Sequence, residues 1–346
     1  MHTTRIILLS VALGLVACGH AAPPPRTAEA PLPPEPCMDD APIPGLSPRP
    51  FRHEHHSSFI RHMGSARHRG RDRFVRPGDP QIVLAKFAYG MTDKDLEDEE
   101  IDVFVRRACA GEWEKLGVAT TTQDENRHPP VDGVEDRGGQ IFYEIPAEKA
   151  LAPGRHQLRL VVGGDLTSTD VLFEVVSPGT KIFVSDVDGT LTSSENIEML
   201  KVLEGTLPDA HPGAADAFRI LVEKGYHPMY LTARPELLVP RTRAFLRAHG
   251  FPLGVVHTSP ATFGAGMGAS AASFKKTELQ ALAALGLVPS FGFGNMPSDS
   301  DAYAAAGIDP TRRFFYRIDG KFEGRRIESY DELWEPFRAL PSLGTP

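Results

Sequence analysis

From residue 181 to residue 318 short apolar runs alternate with amphipathic stretches, and this alternation constrains the fold more than any other feature of the chain. Residues 181–185, 227–231, 253–257, 291–294 and 314–318 read as strands. Residues 212–224, 238–249, 275–285 and 300–306 read as helices, with Pro212 and Pro240 in first turns and Gly225 and Gly250 as stops. Such alternation predicts an α/β class with a parallel sheet and helices on both faces. In these sheets ligands bind beyond the carboxyl ends of the strands, and the chemically loaded residues fall there.

Four signals lie at those ends. Asp186-Val187-Asp188-Gly189-Thr190 closes the first strand and Leu231-Thr232-Ala233-Arg234 the second. Lys275 opens a helix after a loop, and Gly294-Asn295-Met296-Pro297-Ser298-Asp299 follows the fourth strand. Cleaving a phosphate monoester requires a nucleophile, relief of negative charge and a proton for the leaving oxygen. Asp186 suits the nucleophile, through an aspartyl-phosphate, and Asp188 the acid that later activates water. Magnesium takes oxygen ligands. The Asp186 and Asp299 side chains and the Asp188 backbone carbonyl would supply them, with Asn295 as a further oxygen or a contact behind the ligands. Thr232, the Ala233 amide, Arg234 and Lys275 are candidates to hold phosphate oxygens, Lys275 also touching Asp186. Gly189 lets the backbone approach the ligand, and Thr190 orients the loop. Each piece alone has a plain reading as a turn or a surface residue; the order and the shared position at strand ends carry the inference.

These four motifs resemble those of the haloacid dehalogenase superfamily, which implies a Rossmann-like parallel sheet and magnesium-dependent phosphatase chemistry. Within it, Phe183-Val184-Ser185-Asp186-Val187-Asp188-Gly189-Thr190-Leu191-Thr192 resembles the catalytic domain of lipin-type phosphatidate phosphatases. So do His211-Pro212-Gly213, Tyr230-Leu231-Thr232-Ala233-Arg234, Phe293-Gly294-Asn295 and Ala302-Tyr303. Arg234-Pro235 and Gly250-Phe251-Pro252 are similar to the related C-terminal domain of membrane-associated phosphatidylinositol transfer proteins. The resemblance covers residues 181–318. It implies a lipid phosphate, phosphatidate foremost, as substrate. A broad-specificity exported phosphomonoesterase and a phosphatidate sensor without turnover are the competing expectations. The transfer-protein relatives lack the full acidic pair that this chain keeps in Asp186 and Asp188. Roughly forty residues separate Asp186 from Thr232, and Thr232 from Lys275, too few for a large cap domain. A capless, open site is expected, with residues 261–273 as either a short flap or a plain loop.

Residues 73–177 carry a different rhythm. Strand-like runs at 82–87, 100–105, 140–145, 156–162 and 171–176 are separated by Pro-Gly and Gly-Gly turns, which predicts an immunoglobulin-like β-sandwich. The phosphatase domain is then expected over 178–340. Residues 51–76 hold seven Arg and five His against Glu54 and Asp72. A basic segment over 51–72 reads first as a solvated linker, second as a partner of anionic headgroups, and last as a metal site.

Upstream, Arg5, an apolar run over 6–17 and small residues before Cys18 describe a secretory leader. Leu15-Val16-Ala17-Cys18 resembles a bacterial lipobox, which implies cleavage after residue 17 and a diacylglyceryl thioether on Cys18. Gly19 then favours the outer membrane, facing the periplasm. An ordinary leader with an incidental cysteine is the alternative. Residues 18–50 are Pro- and Ala-rich and read as a tether. An oxidising compartment permits a Cys37–Cys109 bridge, but two free thiols are the expectation. Lys and Arg number 37 against 45 Asp and Glu, giving a net charge of −8, which disfavours a nucleic-acid partner.

Overall fold

The computed structural model describes residues 37–177, 179–193, 206–260 and 269–344. Cys18, the leader, the tether as far as residue 36 and most of the expected flap lie outside the described residues.

The turn signals close the first half into two sheets. β1 (Arg69–Arg71), β3 (Ile82–Lys86) and β8 (Gln140–Glu144) form one, paired antiparallel. β2 (Arg73–Val75), β6 (Glu100–Arg106), β7 (Glu114–Thr120), β9 (Gly154–Val162) and β10 (Ser168–Val175) form the other, in the order β2-β10-β9-β6-β7. A small hairpin joins β4 (Ala88–Tyr89) to β5 (Lys94–Asp95). The sandwich core includes Val83, Ile101, Val103, Leu158, Leu160 and Phe173. The charge alternation of β6 predicts a half-buried strand, yet both faces are covered. Ile101, Val103 and Val105 enter the core, and on the other face Arg49 and Lys115 each lie 2.7 Å from the Asp102 carboxylate. Arg49 belongs to residues 37–50, which lie across the sandwich. Cys37 and Cys109 are disulfide-bonded rather than free. Both sulfurs sit in the core that the two lobes share, a proximity that a sequence separation of 72 hides.

The segment 51–72 is not a solvated linker, and its arginines from Arg69 on are not free cations. Residues Glu54–His62 form a helix, α1, and β1 starts at Arg69, ahead of the expected sandwich boundary. Arg69 bonds Asp93 at 2.7 Å and Glu236 at 2.8 Å, Arg71 bonds Glu278 at 2.8 Å, and Arg73 pairs with Asp132. Charges in such pairs hold the fold together, and removing one partner leaves the other buried and unmatched.

The second half gives six parallel strands in the order β13-β12-β11-β14-β15-β16. They are β11 (Ile182–Ser185), β12 (His227–Pro235), β13 (Val255–Ser259), β14 (Phe291–Gly294), β15 (Arg313–Tyr316) and β16 (Arg325–Ile327). The helices α2 (Ala214–Glu223), α3 (Val239–Ala248) and α6 (Trp334–Arg338) pack on one face through Phe218, Phe245 and Phe337. Leu279 and Leu282 of α4 (Ala269–Ala284) and Ala302 and Tyr303 of α5 (Pro297–Ala305) join Ile182, Val184, Met229 and Leu231 on the other. Phe74, Leu172 and Val176 of the sandwich belong to that same cluster, so the lobes share a core. β16 has no signal in the sequence reading, and α4 and α5 begin earlier than expected, before Lys275 and Ser300.

Asp72 joins the lobes at the edge of the parallel sheet. Its buried carboxylate accepts from Leu172 N at 2.7 Å, Val256 N at 3.0 Å and the Arg243 guanidinium. Its backbone carbonyl lies 2.7 Å from His257 Nε2. Val256 and His257 lie on β13, an edge strand whose open backbone groups would otherwise invite pairing with another chain.

A second buried network fixes the sandwich and sets its response to acid. His68 Nδ1 accepts from Ala88 N at 3.3 Å, and Nε2 lies 2.8 Å from Thr167 Oγ1. Burial, the leading cause, pushes the His68 imidazole down to about 4. The unfolded chain therefore binds a proton that the folded chain refuses between about pH 6.5 and 4, and stability falls as pH falls through that window. Between pH 7 and pH 5 the His68 contribution should be a loss of about 2 kcal/mol. Urea denaturation at the two pH values checks this, and His68→Gln should flatten the difference; an unchanged pH dependence in the variant would show that another group is responsible.

Candidate active site

β11 and β14 bring the first group of residues together. Asp186 N donates to Phe293 O at 2.9 Å, extending the β11–β14 ladder one residue past β11 and fixing where the carboxylate emerges. Gly294 ends β14 because Asp299 comes too close for a side chain: a Cβ there would lie 2.5 Å from Asp299 Cβ. Lys275 reaches in from the second turn of α4. Its Nζ lies 2.6 Å from Asp186 Oδ1 and 2.7 Å from Asp299 Oδ1, and all three residues are buried. Thr190 Oγ1 stands 3.2 Å from Asp186 Oδ2 and 2.9 Å from Asn295 Oδ1.

Asp299, expected as a magnesium ligand, has both oxygens engaged. Oδ1 meets Lys275, and Oδ2 accepts from Asn295 N at 3.1 Å and Met296 N at 3.0 Å. This geometry makes Asp299 the group that holds Lys275 and the start of α5, and puts Asn295 Oδ1 rather than Asp299 beside Asp186 Oδ2 around the Thr190 hydroxyl.

A second group gathers at the end of β12. The β12–β13 register shifts between Thr232 and Pro235, and this bulge takes Ala233 and Arg234 out of the ladder at the carboxyl end of the sheet. Arg234 forks onto Asp188, with Nε at 2.9 Å from Oδ2 and Nη2 at 2.7 Å from Oδ1. Thr232 Oγ1 donates to Asp188 Oδ2 at 3.0 Å. Thr232 and Arg234, expected on substrate phosphate, are thus turned onto Asp188. Ala233 is half-buried between them. Gly189 has φ +71°, a left-handed backbone that favours glycine, and its N donates to Thr192 Oγ1 at 3.0 Å.

Two supports escaped the sequence reading as parts of the site. Tyr330 donates its hydroxyl to Thr190 O at 2.8 Å across 140 residues, and His211 Nε2 lies 3.2 Å from Gly189 O. His211 falls in a motif already noted, whereas nothing near Tyr330 signals its contact.

Burial dominates the electrostatics. It pushes the Asp186 carboxyl up to about 7; Lys275 opposes the shift, while Asp299 and Asp188 reinforce it. For Lys275 burial acts downward, but the carboxylates of Asp186 and Asp299 outweigh it and hold the ammonium above its ordinary pKa. Two buried carboxylates share one buried cation, so negative charge is left over beside hard oxygen donors. Such a donor set fits a magnesium ion, which binds few carboxylates and keeps several other oxygens around it. Among the described residues no cluster of three His, Cys, Asp or Glu forms a ready-made metal cage.

Comparison with known proteins follows the division into two lobes. Residues 183–317 match the family described as "PITM 1-3, LNS2 domain", and residues 66–175 match "PITM 1-3, beta-sandwich domain". Membrane-associated phosphatidylinositol transfer protein 1 of Rattus norvegicus and of Homo sapiens are each 31% identical over 255 residues, covering 72% of this chain and 18% of each relative. Protein retinal degeneration B of Drosophila melanogaster is 34% identical over 194 residues, 56% of this chain and 14% of that protein. The chain therefore spans less than a fifth of the length of these relatives. A putative β-phosphoglucomutase from Thermotoga maritima aligns with a TM-score of 0.31 at 14% identity, over 46% of this chain and 98% of its own, a likeness too low to weigh. The two lobes are thus related, in the same order along the chain, to the β-sandwich and the LNS2 domain of the membrane-associated phosphatidylinositol transfer proteins.

Proposed function

We propose that this chain is a magnesium-dependent phosphatase acting on phosphatidate or a similar lipid phosphate through an aspartyl-phosphate on Asp186. The observation that carries this reading is the buried Asp186–Lys275–Asp299 group, with Nζ 2.6 Å and 2.7 Å from the two carboxylates, set beside the Asp188–Arg234 pair at the carboxyl end of a parallel sheet. The lipid part draws support from the relatives, which are named for phosphatidylinositol transfer and membrane association.

When bound, magnesium would neutralise phosphoryl oxygens, held by the Asp186 side chain, the Asp188 backbone carbonyl and Asn295. The chain's own residues do the rest. Asp186 attacks phosphorus through a carboxylate oxygen, and the bond from phosphorus to the leaving oxygen breaks. Asp188 passes a proton to that oxygen. It then takes a proton from a water that attacks the phosphorus of the aspartyl-phosphate, which frees inorganic phosphate and restores Asp186. Lys275 holds the Asp186 oxygen and offers charge to the incoming phosphate. Thr232 and Arg234 grip Asp188, so they position the acid, and the Ala233 amide is left as the candidate from this turn to hold a phosphate oxygen.

Arg234→Gln should lower kcat by about 10²–10³-fold with little change in KM, because it removes the fork that positions Asp188 rather than a contact on the substrate. Steady-state kinetics check this; a raised KM at unchanged kcat would return Arg234 to substrate binding.

The deciding experiment measures phosphate release from phosphatidate vesicles, lysophosphatidate and soluble monoesters, with magnesium and with chelator. Release from vesicle phosphatidate alone supports the lipid reading, and equal release from soluble monoesters the broad phosphomonoesterase. Phosphatidate binding without release would make the chain a sensor. The N-terminal lipid anchor and an outer-membrane address belong to the same proposal. Mass spectrometry of the mature N-terminus should show a diacylglyceryl-modified Cys18; an unmodified terminus beyond it rules the anchor out.

A further inference from the structure

We infer that α1 and the β4–β5 hairpin form a docking surface for an anionic lipid bilayer. Phe59 on α1 and Met63 at its C-cap lie one turn apart and are 66% and 42% exposed; Met91, in the hairpin turn, is 91% exposed. Single exposed apolar side chains are ordinary, but Met63 lies a turn beyond Phe59 and against Gly90, the neighbour of Met91. The end of α1 rests on the turn: Gly90 N donates to Ser65 O at 2.9 Å, and a Cβ at Gly90 would lie 2.6 Å from Met63 O.

The outward face is fixed from behind. Ser57 and Ile60 are buried against the sandwich. The Glu99 carboxylate holds the start of the helix, accepting from Arg52 N and His53 N at 2.9 Å and from Ser57 Oγ at 2.6 Å. Phe59 and Met63 therefore point outward from an anchored helix.

The flanks choose the occupant. Along α1 and the stretch after it stand His55, His56, Arg61, His62 and Arg67, with Glu54 as the only acid of α1, on a chain whose net charge is −8. Arg67 makes no ion pair among the described residues, and Arg61 lies 3.4 Å from Asp165. An apolar strip bordered by basic side chains suits a bilayer with anionic headgroups. Arg69 ties the hairpin to the parallel sheet, with Asp93 at 2.7 Å on one side and Glu236, which directly follows β12, at 2.8 Å on the other. The surface therefore flanks the catalytic end of the sheet, and docking sets the mouth of the site beside the membrane. That consequence for turnover rests on the phosphatase reading; the docking itself does not.

The test uses the full chain carrying Cys18→Ser, so that no lipid is attached, with Met91→Trp as a local reporter. The chain without Met91→Trp supplies the background from Trp113 and Trp334. Vesicles of phosphatidylcholine alone are compared with vesicles that also hold phosphatidylglycerol. The emission of the introduced indole should shift to the blue on the anionic vesicles, and adding Phe59→Ser and Met63→Ser should weaken that partition by about tenfold or more. Release of phosphate from a soluble monoester should be unchanged in the serine variants. No shift, an equal shift on neutral vesicles, or a vesicle-independent shift that grows with protein concentration, as a second copy would give, each overturns the proposal. A chain that docks but releases no phosphate from any substrate sinks the catalytic reading and leaves this one standing.

Discussion

Asp186→Asn should lose about four orders of magnitude or more in phosphate release on every substrate the wild type accepts, because an amide supplies neither the nucleophile nor the charge a divalent cation requires. The fold should survive. Asp186 is buried and competes with Asp299 for Lys275. Making it neutral removes the cost of burying one carboxylate while the Lys275–Asp299 contact remains, so stability should change by no more than about 1 kcal/mol in either direction. Phosphate release and a urea denaturation curve on the same preparation decide the matter. Wild-type-like release would remove Asp186 from the mechanism. A collapsed denaturation midpoint would mean that the Asp186–Lys275 contact holds the lobe together and would leave the chemistry to be tested through Asp188.

Asp72→Ala should destabilise the protein by about 3–5 kcal/mol, the cost of leaving buried donors and a guanidinium without their acceptor. Leu172 N, Val256 N and Arg243 all lose a partner at once, and these three belong to β10, β13 and α3. Burial pushes the Asp72 carboxyl above its ordinary pKa, against Arg243 and the two amides, so the charge itself carries a cost. Asp72→Asn, which keeps an acceptor oxygen and drops the charge, should therefore cost less than the alanine. Hydrogen exchange should show faster exchange at Val256 in the alanine variant. An unchanged urea midpoint for Asp72→Ala would refute its role as the joint between the lobes. The contrast with the notion of a headgroup-facing basic strip is direct: Arg69, Arg71 and Arg73 around Asp72 are spent on ion pairs, so replacing them should unfold the chain and lower turnover on every substrate alike.

The parallel sheet and the gathering of acids at its carboxyl end are legible in the sequence because each depends on local information. An apolar strand that ends in Asp186-Val187-Asp188-Gly189-Thr190 fixes both the strand and the side on which its acids emerge. Period and turn residues likewise announce the β3, β6, β8, β9 and β10 strands of the sandwich. What the sequence could not determine are contacts made across long separations. The grip of Arg234 on Asp188, the use of both Asp299 oxygens by Lys275 and two backbone amides, and the Tyr330 hydroxyl on Thr190 all arise only when strand ends converge. The same holds for the Cys37–Cys109 bridge and for Arg69, Arg71 and Arg73, whose charges look free in one dimension and are neutralised in three. Periodicity records which face of an element is apolar, whereas the partner of a buried charge is chosen by whichever distant element the packed core brings within about 3 Å.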